Sequence, residues 1–194
     1  MEIYKCSTKK ITEFCLIDTP GFGNSERDDT DVLRGLTNWL SMYSSDDITL
    51  TGIIYLHRIS DVRFRVAAMK NLRLFKKFCG KDSLESVVLA TTFWSNVDKQ
   101  TALKEQQLKT EQNFWGGLIA RGSKLFRQDD GILSGKRIID HLIERRYKIV
   151  LDIQREMVDR DDRLDQTAAG RAVQAEFMKA KAEYEKQDRR EDDI

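Results

Sequence analysis

Phe14-Cys15-Leu16-Ile17-Asp18-Thr19-Pro20-Gly21-Phe22-Gly23-Asn24 is the stretch on which the reading of this chain turns. Four apolar residues end in an acid, a proline follows two residues later, and glycines at 21 and 23 release the backbone into a polar loop that runs to Asp29. An apolar run closed by Pro and Gly reads as a strand ending at a loop. Pro20 is the only proline in 194 residues. Upstream, Glu2 to Ser7 and Ile11 to Asp18 read as two strands of a hairpin joined by Thr8-Lys9-Lys10. The second strand is richer in large apolar side chains and is expected to be the more buried.

Downstream the pattern alternates. Asp28-Asp29-Thr30 offers helix caps, and Val32, Leu33, Leu36, Trp39, Leu40 and Tyr43 then recur at helical spacing until Ser44-Ser45-Asp46-Asp47. Leu50 to Leu56 is a continuous apolar run, the signature of a strand covered on both faces of a parallel sheet. A helix through Ala68, Leu72, Phe75, Phe78 and Cys79 follows, with Gly80 as its C-terminal cap. Val87 to Thr91 reads as another buried strand, Lys99 to Ile119 as a helix weakened near Gly116-Gly117, and Lys124 to Phe126 as one more strand. Alternating strands and helices predict an α/β fold with a largely parallel sheet. Ligands of such sheets bind at the carboxyl ends of strands, where Asp18, His57 and Thr91-Thr92 all fall. Residues 1–145 form the expected α/β unit and 146–194 a helical extension. Ile132 to about Asp162 reads as one long helix, and Thr167 to about Lys186 as a second, with the charged end at Arg189 to Asp193 expected to fray. Heptad spacing is imperfect there, because Arg146, Glu156 and Arg160 fall on the seam. Two readings stay open for the extension: a coiled coil with a partner or a second copy, and a helix folded back on its own domain.

Lys and Arg number 33 against 32 Asp and Glu, a net charge of +1, so the basic excess that a nucleic-acid binder needs is missing. Cys6, Cys15 and Cys79 sit in apolar segments without a CxxC spacing. They read as buried, reduced thiols of an intracellular, cytoplasmic protein. No apolar run approaches the roughly 18 residues of a membrane span, and the N-terminus has no secretory pattern. His141 has Arg145, not a metal ligand, four residues on. His57 and Arg58 read as a packed His and a surface Arg beside a weaker catalytic alternative, and no Ser-His-Asp or Cys-His pairing can be argued.

Asp18-Thr19-Pro20-Gly21 carries the chemistry. An acid at a strand end with a glycine three residues later is how P-loop nucleotidases sense a triphosphate: the acid serves Mg²⁺ and the glycine N–H faces the γ-phosphate. Thr19 and Pro20 would set the loop's exit, and Gly21 and Gly23 would let backbone approach phosphate without a Cβ in the way. The bland alternative is a structural strand-to-loop turn.

Five segments together resemble a GTPase family: Phe14 to Asn24 (FCLIDTPGFGN), Gly52 to Asp61 (GIIYLHRISD), Leu74 to Gly80 (LFKKFCG), Val87 to Trp94 (VVLATTFW) and Leu164 to Gly170 (LDQTAAG). They are similar to fungal G-domain proteins related to the septin and immunity-associated (AIG-type) GTPases, and the resemblance covers nearly the whole chain. It implies a Ras-like sheet of the P-loop NTPase kind, GTP and Mg²⁺ as ligands, and a helical tail. Asp18 and Gly21 match the family's Asp-x-x-Gly switch. Thr91 and Thr92 fall where many GTPases have the Asn-Lys of the guanine-reading Asn-Lys-x-Asp.

Two departures weigh against a working site. The guanine-reading aspartate falls on Trp94, and the next acid is Asp98. An indole cannot accept hydrogen bonds from guanine; Trp94 either stacks on a base or, with Phe93, covers the strand end. Second, no Gly-x-x-x-x-Gly-Lys-Ser/Thr appears. Gly131 to Lys136 has glycines four apart and Arg137 after the lysine, and reads as a helix start. The phosphate loop supplies the N–H nest, a lysine and a Mg²⁺ hydroxyl, and its strand would lie between those ending at Asp18 and near Leu56. The expectation is therefore a Ras-like G-domain truncated before its phosphate loop, whose parent binds GTP·Mg²⁺ and hydrolyses it slowly, and which itself binds nucleotide weakly or not at all. Here Asp18, Thr19, Pro20 and Gly21 are the phosphate-side residues, Asp18 the metal residue, and Thr91, Thr92 and Trp94 the base-side residues. The rival is a nucleotide-free interaction module acting through its C-terminal helices.

Overall fold

Val87, Val88, Leu89, Ala90 and Thr91 are all at most 1% exposed. A strand so apolar must be covered on both faces and paired on both edges. The computed structural model, which describes residues 1–7, 13–23, 27–44, 49–60, 66–95, 99–145 and 148–192, meets each demand. In chain order the elements are β1 (Glu2–Cys6), β2 (Phe14–Asp18), α1 (Asp29–Ser44), β3 (Ile53–Arg58), α2 (Val66–Cys79), β4 (Val87–Thr92), α3 (Lys99–Thr110), α4 (Gly117–Ile119), β5 (Lys124–Arg127), α5 (Gly131–Arg145), α6 (Asp152–Gln154) and α7 (Ala168–Asp192). β4 lies between β3 and β5, parallel to both, with Ile53 opposite Val87 and Val88 opposite Lys124. The fold is mixed α/β with a three-stranded parallel sheet. β1 and β2 form a separate antiparallel ribbon, with Glu2 opposite Asp18.

Side chains of β4 alternate between two cores. Val87 and Leu89 join Leu33 and Leu40 of α1, Leu72, Phe75 and Phe78 of α2, Trp115, Ile153 and Val173. Val88 and Ala90 face Ile138 and Leu142 of α5. Each Val, Leu, Ile or Phe side chain among them taken fully from water contributes about 1.5–3 kcal/mol, so this sheet is where the fold is held most tightly.

α1 starts as its sequence predicts: Asp28 accepts the Thr30 N–H at 2.8 Å. That hydrogen bond is the main cause holding its carboxyl below the ordinary value. Gly80 ends α2 with φ of +80°, and a Cβ there would overlap the Asp152 carboxylate. Thr167 caps α7 by accepting the Gly170 N–H at 3.0 Å. The helix then runs to Asp192, past the fraying expected from Arg189.

Several expectations are corrected. β3 begins at Ile53 rather than Leu50, because the Leu50 carbonyl accepts the Ile149 N–H at 2.9 Å instead of entering the sheet. The helix expected over 99–119 stops at Thr110, and the chain makes a wide turn over Gln112–Gly116 with Phe114 at φ −100°, ψ −120°. The turn sinks Trp115 to 1% exposure, where it meets the Tyr55 ring edge-on at 6.3 Å. The single helix expected from Ile132 to Asp162 is broken. α5 ends at Arg145, Lys148–Val150 is not helical, and Leu151 at φ −78°, ψ 152° precedes α6. α5 covers one face of the sheet whereas Leu151 and Ile153 belong to the core on the other, and a continuous helix cannot serve both. Gly131, with φ of +41°, starts α5, and Lys136 pairs with Asp140 at 2.5 Å. The turns expected at Thr8-Lys9-Lys10 and Ser45-Asp46-Asp47 lie outside the described residues.

The cysteines are not uniformly buried. Cys79 is fully buried, Cys6 is half-buried, and Cys15 is exposed because it stands on the open face of the ribbon opposite Lys5. Burial pushes the Cys79 thiol up, which keeps it protonated and unreactive. Native protein treated with a chromogenic disulfide reagent should therefore release one thiol rapidly, and Cys15→Ser should abolish that phase. Cys79 should react only on global unfolding, and rapid titration of all three would contradict the packing of α2.

Candidate functional site

Asp18 is the last residue of β2, and its carboxylate is exposed. Thr19 and Gly21 are exposed and Pro20 half-buried. A Cβ built on Gly21 meets nothing within 4 Å, so the backbone there is open to approach from solvent. Beside it lies a cavity of about 420 Å³ between the ribbon and α1, lined by Met1, Pro20, Arg27, Asp28, Val32 and Gly35. Beyond Gly21 the backbone is tied down. Phe22 packs on the core, its carbonyl accepts the Asn71 amide at 2.7 Å, and the Gly23 N–H donates to Asp29 at 2.6 Å.

The base-side residues lie in the other sheet, at the carboxyl end of β4. Thr91 is fully buried, its hydroxyl donating to the Phe126 carbonyl at 3.4 Å. The Thr92 hydroxyl donates to the His57 carbonyl at 3.3 Å. Trp94 turns back on its own strand: its indole N–H lies 3.0 Å from the Thr91 carbonyl and 3.2 Å from the Thr91 hydroxyl. The Arg127 guanidinium sits 4.3 Å over the Trp94 ring. Phe93 adopts φ of +62°, a left-handed conformation that costs a bulky residue about 1–3 kcal/mol, and carries Arg58 at 4.0 Å over its own ring. Thr91, Thr92 and Trp94 are thus brought together, while Asp18 to Gly21 stand at the end of the separate ribbon. His57 is half-buried, its ring edge-on to Trp115 at 5.7 Å.

Sequence reasoning missed Glu105 of α3, which organises this edge. It is 3% exposed and accepts from Arg127 through two nitrogens, one at 2.9 Å, with Lys109 at 3.4 Å. The Arg127 hydrogen bonds are the main cause holding its carboxyl below the ordinary value; burial opposes them, and Lys109 adds to them. The only signal in the sequence is its place between Thr101 and Leu108 on the buried stripe of α3. Asn71, which reaches the loop after Gly21, and Lys70, which reaches the Asp29 carboxylate, were missed as well.

Among the described residues no group of three or more His, Cys, Asp or Glu side chains is arranged to hold a metal ion. Nor is any helix there long and apolar enough to cross a membrane. The chain matches no family model, no curated protein and no solved structure.

Because the folded Glu105 carboxyl ionises below its ordinary pKa of about 4.3, its contribution to stability is complete above that value. It is lost as pH falls through the folded pKa. Glu105→Gln should accordingly lower the urea midpoint at pH 7, by the equivalent of about 1–3 kcal/mol for charged hydrogen bonds broken at a half-exposed arginine. The gap between variant and parent should close as pH falls through the folded pKa of Glu105, and a gap independent of pH would contradict the ion pair.

Proposed function

We propose that this chain is a guanine-nucleotide-binding protein of the P-loop GTPase superfamily, carrying the switch side and the base side of a GTP·Mg²⁺ site. The observation that carries the reading is the end of β2. An acid with an exposed carboxylate is followed three residues later by a glycine whose backbone is open to approach. Three parallel strands support it by bringing His57, Thr91 to Trp94 and Arg127 to one sheet edge, where nucleotides bind in open α/β sheets.

In this reading Asp18 lies on the Mg²⁺ side, the Gly21 N–H faces the γ-phosphate, and Thr91, Thr92 and Trp94 lie toward the base. Magnesium would neutralise charge developing on the phosphates. The Trp94 N–H is already given to Thr91, so a base at this edge would meet ring and guanidinium faces. Because the sequence has no Gly-x-x-x-x-Gly-Lys-Ser/Thr, the lysine and N–H nest that grip phosphate are not supplied by it, and the chain by itself binds nucleotide weakly.

Titrating isotope-labelled protein with GTP·Mg²⁺ to about 10 mM, a range where binding is worth only about 3–4 kcal/mol, tests this. Amide shifts should concentrate at Asp18–Gly21 and Thr91–Trp94 and approach saturation only at millimolar nucleotide. No shifts at those residues would overturn the nucleotide reading, and micromolar saturation would overturn the claim of weak binding.

One observation favours a second reading, an interaction module acting through its C-terminal helix. α7 spans 25 residues, and Phe177 and Met178 on it are 62% and 57% exposed. Self-association through α7 predicts a mass by light scattering that rises with concentration, is indifferent to GTP, and returns to the monomer value in Phe177→Glu. A constant monomer mass would remove self-association.

A further inference from the structure

Lys70 and Asn71 are neighbours on α2: Asn71 reaches the backbone that follows Asp18-Thr19-Pro20-Gly21, and Lys70 reaches the Asp29 carboxylate that holds it. Asn71 Nδ2 donates to the Phe22 carbonyl at 2.7 Å, across 49 residues of sequence. The Lys70 ammonium lies 3.0 Å from one oxygen of Asp29, whose side chain is 9% exposed. The other Asp29 oxygen accepts the Gly23 N–H at 2.6 Å. Asp29 is the first residue of α1, where a carboxylate is also favoured by the helix dipole. One buried carboxylate therefore joins the loop, the start of α1 and the middle of α2.

Two features show that this contact is specified and not incidental. Gly23 has φ of +74°, and a Cβ there would stand 2.8 Å from Asn71 Oδ1, so only glycine allows the amide to close on the loop. Asn71 Oδ1 itself is buried with no donor among the described residues. A buried acceptor left in this way is a standing cost, so the side chain is held there for what its Nδ2 does. Such a cost persists where the surrounding structure over-determines a position.

We propose that Lys70 and Asn71 are positioning residues. Together with Asp29 they latch Phe22 and Gly23 onto α2, so that α2 sets the direction in which the backbone leaves Asp18-Thr19-Pro20-Gly21. The latch stands whether or not the chain binds nucleotide. α2 also carries Arg73, paired with Glu176 of α7 at 3.4 Å, one turn from Lys70. The helix that holds the loop is thus the helix on which the C-terminal helix packs.

Solvent exchange of the Gly23 amide, read residue by residue by NMR in the absence of nucleotide, tests the latch. The amides of Val88, Leu89 and Ala90 in β4 report on whether the fold is intact. In Asn71→Ala and Asp29→Asn the Gly23 amide should exchange at least about 10-fold faster, as expected for opening of a low-stability local unit, while the β4 amides keep the parent's rates. Lys70→Ala should act in the same direction, and Lys70→Arg should restore protection because it keeps the charge beside Asp29. If Asp29→Asn fails to fold, the contrast between Lys70→Ala and Lys70→Arg decides. Gly23 exchange unchanged in Asn71→Ala and Lys70→Ala, with β4 protected, would overturn the proposal.

Discussion

β4 must be satisfied in four directions at once. Its two edges pair with β3 and β5, and its two rows of side chains need apolar cover on opposite faces. α5 covers the row of Val88 and Ala90; α1, α2, α6 and α7 share the core of Val87 and Leu89. The chain therefore has to change faces between α5 and α6. It does so past the start of β3, where the Ile149 N–H bonds to the Leu50 carbonyl. That crossing breaks the helix after Arg145, delays the start of β3, and delivers Leu151 and Ile153 to the second core. The C-terminal residues are consequently part of how the sheet is covered: Ala169 and Val173 of α7 are buried with α1 and α2.

Elements whose reasons are local were legible. β4 is a run of apolar, largely β-branched residues, α1 and α2 have one apolar face each, and Asp28, Gly80 and Thr167 mark helix ends by chemistry that acts within a few residues. The break after Arg145 is not legible, because Ile149, Ile153 and Met157 fall at helical spacing from Ile138 and Leu142 before it. Periodicity reports which residues want burial, not which face of the sheet will bury them. The turn at Gln112–Gly116 was hidden for the same reason, since it exists to place Trp115 between the sheet and α2.

The candidate site divides similarly. Asp18 and Gly21 announce themselves by spacing after an apolar run. Asn71 and Glu105 are single polar residues on otherwise ordinary helices, and their meaning lies in partners 49 and 22 residues away. β2 is the more buried strand of the ribbon, as its apolar side chains predict, but its burial is partial. Leu16 and Ile17 are only half-buried and Cys15 is exposed, because the ribbon pairs with no third strand among the described residues.

The left-handed backbone at Phe93 has a geometric reason. β4 ends between two neighbours, and the two residues after it serve one each: Phe93 stacks with Arg58 of β3 and Trp94 with Arg127 of β5. An extended chain would alternate these rings above and below the sheet; a residue at φ of +62° lets consecutive rings lean to opposite sides of one edge instead. The strain of about 1–3 kcal/mol is offset by two cation–π contacts of about 0.5–1 kcal/mol each and by the Trp94 N–H held at Thr91. Glu105 completes the arrangement by spending its buried carboxylate on Arg127. That buried carboxylate fixes the guanidinium over Trp94, so each ring at this edge carries an arginine from a different neighbouring strand, Arg58 from β3 and Arg127 from β5.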